Sequence, residues 1–267
     1  MLECEYILGK DYVLHYMNKN GKSKTLTIKH PKLQDIFDLE DDIEKYFQFI
    51  TVFCIEPQDR MYELWDQGID YEEIAPYELF LSMYISYIKQ ANDVEYFYKI
   101  FDLLFGIKEV NYMVKKSGEQ SLLGIFDDGN YIIIDENVYK GISSFLKIIN
   151  NIQNKEKEKF ISQETKQRVM DMEIEDGILD NKSEGSVTFG SLLNYYLNKN
   201  TNGINYFNVG GLPMYTFKSA IITLNRIEDF DNLMAQINAG NFDSSKRSLD
   251  REVMKRNPMS TILKEEK

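Results

Sequence analysis

A chain of 267 residues with 43% apolar and 13% aromatic content is long enough for one large or two small domains with real cores, so disorder is not its default state. A formal charge of -12 and a pI near 4.8 speak against the function classes that neutralise phosphate with Lys and Arg, namely duplex nucleic-acid binding and attachment to an anionic membrane surface. No apolar run approaches the roughly 20 residues of a spanning helix and no leader pattern opens the chain, which predicts a cytosolic protein where it is made.

The first elements read as strands. Residues 6–8, 12–17 and 23–29 are β-rich and are separated by Gly9-Lys10-Asp11 and Asn18-Lys19-Asn20-Gly21, which predicts a small antiparallel meander. Gly21-Lys22-Ser23 has the look of a phosphate-loop ending, but that motif needs glycine where Tyr16 stands and a helix afterwards, so a hairpin turn is the reading. From Pro31 the period becomes helical. Leu33, Ile36 and Phe37 predict a short helix, and Ile43, Tyr46, Phe47 and Ile50 a second, opened by the acids at residues 40–42. Pro57 restarts the chain, Met61, Leu64 and Trp65 share one face, and Gly68 stops it. Two aromatic-rich helices follow, around Leu79 to Ile88 and Val94 to Phe105, with Asn92 and Glu95 as a capping box; stripes this regular predict core.

Between residues 107 and 135 the period falls towards two. Val110, Tyr112 and Val114 alternate, residues 122–126 form a second run, and Asp128-Gly129-Asn130 turns into residues 131–134, a second meander. Asp135 then starts a helix through Val138, Ile142, Phe145, Leu146 and Ile149. Residues 153–185 are polar, with Lys and Glu alternating over 155–159, and read as a charged linker or exposed helix. Phe189, Leu192, Leu193 and Tyr196 predict one more helix. Residues 205–241 then read as a helical hairpin: Phe217, Ile221 and Leu224 carry one amphipathic face, and Phe230, Leu233 and Ile237 repeat it after an acidic break. Gly210-Gly211 and Pro213 mark the entry, and Gly240-Asn241 the exit. The fold expected is α+β and mainly helical. An N-terminal α+β domain over 1–152 holds the two meanders, a linker spans 153–185, and a helical region with a basic tail spans 186–267.

No catalytic signature emerges. Cys4 and Cys54 are too few and too far apart for a disulfide framework or a zinc site, and predict two free thiols, one of them buried. His15 and His30 stand near no Ser or Cys motif, so no triad is argued, although convergence of the two with an acid would make a metal site. The acids at 127, 128, 135 and 136 lack the spacing of a calcium loop and serve as turn and helix-start residues. Gly210-Gly211 lacks the strand and spacing of a dinucleotide fingerprint. The expectation is a protein without catalytic residues, cofactor or metal.

Charge is unevenly distributed. Residues 35–78 carry fourteen carboxylates against Lys45 and Arg60, whereas residues 244–267 carry seven cations against four acids. Opposite ends of this kind fit an intramolecular clasp, a contact between subunits or attraction to a partner, and fit equally two solvated surfaces. The helix over residues 44–53, the segment MYELWDQGIDY at 61–71 with YELF at 77–80, and the ending over 227–245 resemble parts of a tail-morphogenesis protein family of tailed bacteriophages of Gram-positive hosts, some of which are tail-assembly chaperones. The resemblance carries over no functional residue. It implies a non-enzymatic factor in the host cytoplasm that holds a phage tail component, the long tape-measure protein being the fitting client, with homo-oligomerisation open. A structural tail or baseplate subunit is the alternative, and an enzyme or host-defence antagonist a second. Candidate partner-binding residues are Met61, Leu64, Trp65, Phe217 and Phe230. Trp65, the only tryptophan, reads either as a partner anchor within the acidic segment or as a side chain that closes the N-terminal core.

Overall fold

The computed structural model describes residues 3–17, 23–39, 43–90, 94–115, 118–155, 160–176, 188–200 and 203–239. Several expected features lie outside them: the turn at 18–21, the acids at 40–42, the cap at Asn92, parts of the stretch read as a linker (156–159 and 177–185), the exit at Gly240-Asn241 and the basic tail. Within them the chain is an α+β mix, with a two-stranded and a three-stranded antiparallel sheet in the N-terminal part and helices beyond.

Residues 6–8, expected as a strand, are instead the end of a short helix, α1 (Glu3–Ile7), and the turn residue Leu8 after it. Gly9 explains the difference. It sits at φ +69, its N–H bonds the Tyr6 carbonyl and the Lys10 N–H bonds that of Glu5, which is the pattern of a helix stopped by a left-handed glycine rather than of a hairpin turn. β1 (Tyr12–Met17) and β2 (Ser23–Ile28) then pair in register Leu14↔Leu26 and Tyr12↔Ile28, which puts Tyr12, Leu14, Leu26 and Ile28 on the inner face. α2 (Leu33–Phe37) and α3 (Ile43–Cys54) follow as their periodicity requires, α3 burying Tyr46, Phe49, Ile50 and Phe53.

A 3₁₀ turn (Pro57–Arg60) leads into α4 (Met61–Asp66), then α5 (Pro76–Gln90) and α6 (Val94–Phe105). The aromatic stripes meet in the core. Phe53 lies 4.5 Å from Phe80, Phe49 stands edge-on to Phe101 at 5.0 Å, and Phe80 stacks on Tyr139 at 4.7 Å; such pairs add about 0.5–1.5 kcal/mol each beyond their buried area. β3 (Ile107–Val114), β4 (Gln120–Phe126) and β5 (Tyr131–Ile134) form the second meander in order β3-β4-β5. Gly124 sits on its core face between Ile107 and Ile132, where a Cβ would come within 2.9 Å of Ile107, so the central strand has room only for hydrogen there. α7 (Glu136–Ile149) is capped as expected, the Asp135 carboxylate accepting from the Asn137 and Val138 N–H groups.

Part of the expected linker is helical. α8 (Gln163–Glu175) begins at Ser162, whose hydroxyl accepts from the Thr165 N–H. α9 (Phe189–Lys199) follows, and then, in place of the expected two-helix hairpin, a single helix, α10 (Met214–Asn238), of 25 residues. The acids read as a break do not interrupt it, because Glu and Asp lack the backbone defects of Gly and Pro. Glu228 instead accepts from the Tyr195 hydroxyl at 2.9 Å and pairs with Lys199, both on α9.

The start of α10 is bound to the end of β2. Leu33 N–H bonds the Leu212 carbonyl at 2.9 Å, Met214 N–H bonds the Pro31 carbonyl at 3.0 Å, and Tyr215 N–H donates to His30 Nε2 at 3.2 Å. Pro213 occupies the cap position and offers no side-chain acceptor, so His30 and Pro31 supply what the first helical turn lacks. Tyr196, Val209, Met214, Phe217 and Ile221 accordingly lie in the same buried cluster as Leu26, Phe53 and Phe101.

His30 is 2% exposed, and burial lowers its pKa to about 4, against weaker opposing effects of the Asp11 carboxylate and the Lys10 backbone. A proton on the ring would abolish the acceptor at Nε2 and place a positive charge at the positive end of α10. The unfolded chain takes up that proton near pH 6.5, the folded chain only near 4. The stabilisation is therefore complete above about pH 6.5 and is lost as pH falls towards 4, by roughly 3 kcal/mol in total. Urea unfolding measured from pH 7 to 4.5 should show wild type losing stability more steeply than His30→Gln, which keeps an acceptor but does not titrate. Parallel pH profiles would remove His30 from this role.

Candidate functional site

The acidic segment places α4 in a small satellite cluster beside the main core. Met61 and Leu64 are buried there with Ile55, Tyr71, Leu79 and Met170, and the half-buried Trp65 packs along its edge. What covers this side of α4 is α8. Met170 is fully buried against it, Trp65 Nε1–H donates to Asp171 Oδ1 at 2.9 Å, and the Lys166 side chain, 2% exposed, pairs with Asp70 and Glu72 at 2.5 and 2.6 Å. The Lys166 ammonium also stands 4.5 Å from the Tyr71 ring centroid. Burial pulls the Lys166 pKa down, but the hydrogen bonds to Asp70 and Glu72 outweigh it and hold it above the ordinary lysine value. Desolvation raises the Asp70 pKa, but the hydrogen bond and charge of Lys166 together with hydrogen bonds from the Glu72 N–H and Gln163 outweigh it and hold the carboxyl below its usual range.

The five residues singled out as partner contacts are not brought together. Met61 and Leu64 are buried in the satellite cluster, and Phe217 is fully buried in the main core between Phe189 and Tyr196, so these three side chains offer no surface to a partner in this conformation. Trp65 is engaged with α8. Phe230 is half-buried on the second half of α10.

Acid–base chemistry finds little footing. Cys4 is exposed and Cys54 buried, both free, and burial pushes the Cys54 thiol up to about 12, away from the thiolate a nucleophile needs. His15 lies on the outer face of β1, whereas His30 faces inward onto Tyr215, so the two do not converge. Among the described residues no group of three His, Cys, Asp or Glu has the geometry to hold a metal ion, and no helix is long and apolar enough to cross a membrane. A cavity of about 690 Å³ beside the start of α7 is lined by Glu78, Glu119, Asp135 and Glu136. The Tyr77 hydroxyl at its wall donates to the Ile134 carbonyl, and burial raises its pKa, so it stays a neutral donor.

One surface went unnoticed in the sequence. The register Asn111↔Leu123↔Ile133 and Glu109↔Ile125↔Tyr131 places Leu123, Ile125, Tyr131 and Ile133 on the face of β3-β4-β5 that turns away from Gly124, Leu122, Ile132 and Ile134. None of the four belongs to either buried cluster; three are partly exposed and Tyr131 is 56% exposed. A sheet packed on one side alternates apolar and polar residues, but β4 and β5 are apolar on both. The signal was present in the unbroken run Tyr131-Ile132-Ile133-Ile134, which is the composition of a strand covered on both faces. Comparison of the chain with protein-family models, with curated proteins and with solved structures finds no match.

Trp65 makes the α4–α8 contact directly observable. Met170→Ala should cost about 2 kcal/mol or more and shift the Trp65 fluorescence to longer wavelength in native buffer. Unchanged emission would mean that α8 does not rest on Trp65 in solution.

Proposed function

We propose that this chain is a non-enzymatic binding protein of virion assembly, a phage tail-morphogenesis factor that holds an apolar segment of a tail component against the outer face of the β3-β4-β5 sheet. The observation that carries the reading is that second apolar face, Leu123, Ile125, Tyr131 and Ile133, which neither buried cluster covers. Tyr131 is exposed and the other three are partly so, an arrangement that a one-sided sheet does not require, whereas a protein that shields an aggregation-prone client needs an accessible apolar surface. The net charge of -12 supports the same reading, since like charge keeps a chain with an exposed apolar patch dispersed. The buried, high-pKa Cys54 and the separated histidines supply no competing catalytic arrangement among the described residues. The phage context rests on the resemblance of residues 44–53, 61–71, 77–80 and 227–245, and the tape-measure protein is the client it implies.

Co-expression tests the proposal. Wild type should keep the tape-measure protein of a tailed phage of a Gram-positive host in the soluble fraction and co-purify with it. The double variant Leu123→Lys/Ile133→Lys should retain its thermal midpoint within a few degrees, yet lose at least about tenfold in recovered client, as charges placed in a desolvated contact require. Equal recovery with both proteins, or no effect of wild type on client solubility, would refute it.

A further inference from the structure

Lys218 stands apart from the other described cations. It lies on α10 next to the fully buried Phe217, is half-buried itself, and makes no ion pair among the described residues; its ammonium rests 4.9 Å from the centroid of the Phe47 ring. Desolvation lowers its pKa, with no carboxylate close enough to raise it again. The side chain lines a cavity of about 370 Å³ between α3, α5, α9 and α10, walled by Phe47, Tyr87, Phe189 and Leu192 and by the polar side chains of Glu44, Gln48, Thr51 and Thr188. A ring face is a weak partner for a desolvated ammonium, worth far less than a charge-assisted hydrogen bond to a carboxylate. A cavity of this size accepts a planar body of about a dozen non-hydrogen atoms, its apolar face against the four apolar side chains and its polar edge towards Gln48, Thr51 and Thr188.

The geometry points to a binding site for a carboxylate carried on an aromatic or aliphatic body, with the anion paired to Lys218 and the body held among Phe47, Tyr87, Phe189 and Leu192. The site lies on α3, α5, α9 and α10, away from the outer face of the β3-β4-β5 sheet, so it stands or falls independently of the tail-assembly reading. The same carboxylate chemistry has two sources, a free aromatic acid or the C-terminus of a peptide ending in an aromatic residue.

Calorimetry at pH 7 with the full chain tests this with 2-naphthoate, its neutral isostere 2-naphthamide, and acetyl-Gly-Phe as free acid and as amide. The acid of at least one pair should bind with a Kd of about 1 mM or tighter and at least about tenfold more tightly than its amide. Binding by naphthoate alone assigns the site to a small molecule, and preference for the peptide acid assigns it to a chain terminus. Lys218→Met should abolish the acid–amide difference, with Lys218→Gln as the second variant if the first does not fold. Bound acid should also raise the titration midpoint of the Lys218 Cε resonance in ¹³C spectra, which a purely structural lysine would not show. Equal binding of acid and amide, no binding of any probe at 5 mM, or an unchanged acid preference in Lys218→Met and Lys218→Gln would each overturn the proposal.

Discussion

The backbone exchange between the end of β2 and the start of α10 is the constraint on which the rest of the structure depends. A helix opening on proline at its cap position has no side-chain acceptor there, and its first N–H groups must find partners elsewhere or remain unsatisfied in the interior. Met214 and Tyr215 find them on Pro31 and His30, while Leu33 returns a bond to Leu212. The exchange brings Phe217 and Ile221 onto the core laid down by β2, α3 and α6, and it brings Pro213 against Gly9, where a Cβ would approach the proline ring to 2.7 Å. The chain between Gly9 and Tyr215 is thus closed at one place. Burial of His30 follows directly, since a neutral imidazole is both the acceptor and the only form tolerated beside the positive end of a helix.

Around this frame the remaining features sort by how well their groups are satisfied. The α4–α8 contact is fully made: Lys166 has two carboxylates and an aromatic face, Trp65 has Asp171, and Met170 fills the gap between them. A buried ion pair contributes little net stability, so the pairs of Lys166 with Asp70 and Glu72 tie α8 to the turn that follows α4 more than they strengthen the contact. The outer face of the second sheet and the Lys218 cavity are the opposite case, apolar surface and a cation whose partners the described residues do not provide. They are where a ligand gains most.

Elements with strong local signals were legible in the sequence. The aromatic periodicity of α3, α5 and α6, the Asp128-Gly129-Asn130 turn and the Asp135 cap all appear where the residues place them, because each is decided within a few residues. What failed was decided by alternatives of nearly equal local cost. Gly9 serves a turn or a left-handed helix stop equally well, and only its fit against Pro213 selects the second. The acids at 228, 229 and 231 resemble a break on a polarity plot but leave the backbone free to continue, and the Tyr195 and Lys199 contacts to Glu228 need α9 alongside. Trp65 was left between anchor and core, and its partner Asp171 lies 106 residues away, beyond any periodicity argument. The Lys218 cavity has walls from four helices and no signature in any of them.

If the exchange at His30–Leu33 unites the α9–α10 region with the N-terminal core, that region has no separate unfolding step. Native-state hydrogen exchange resolves this at the amides of Met214, Tyr215 and Phe217, read against core amides of α3 and α6 such as Phe53 and Phe101. Both sets should exchange with the same free energy, with the same denaturant dependence, as one cooperative unit. Exchange of the α10 amides through a lower-energy opening, with the α3 and α6 amides still protected, would contradict it.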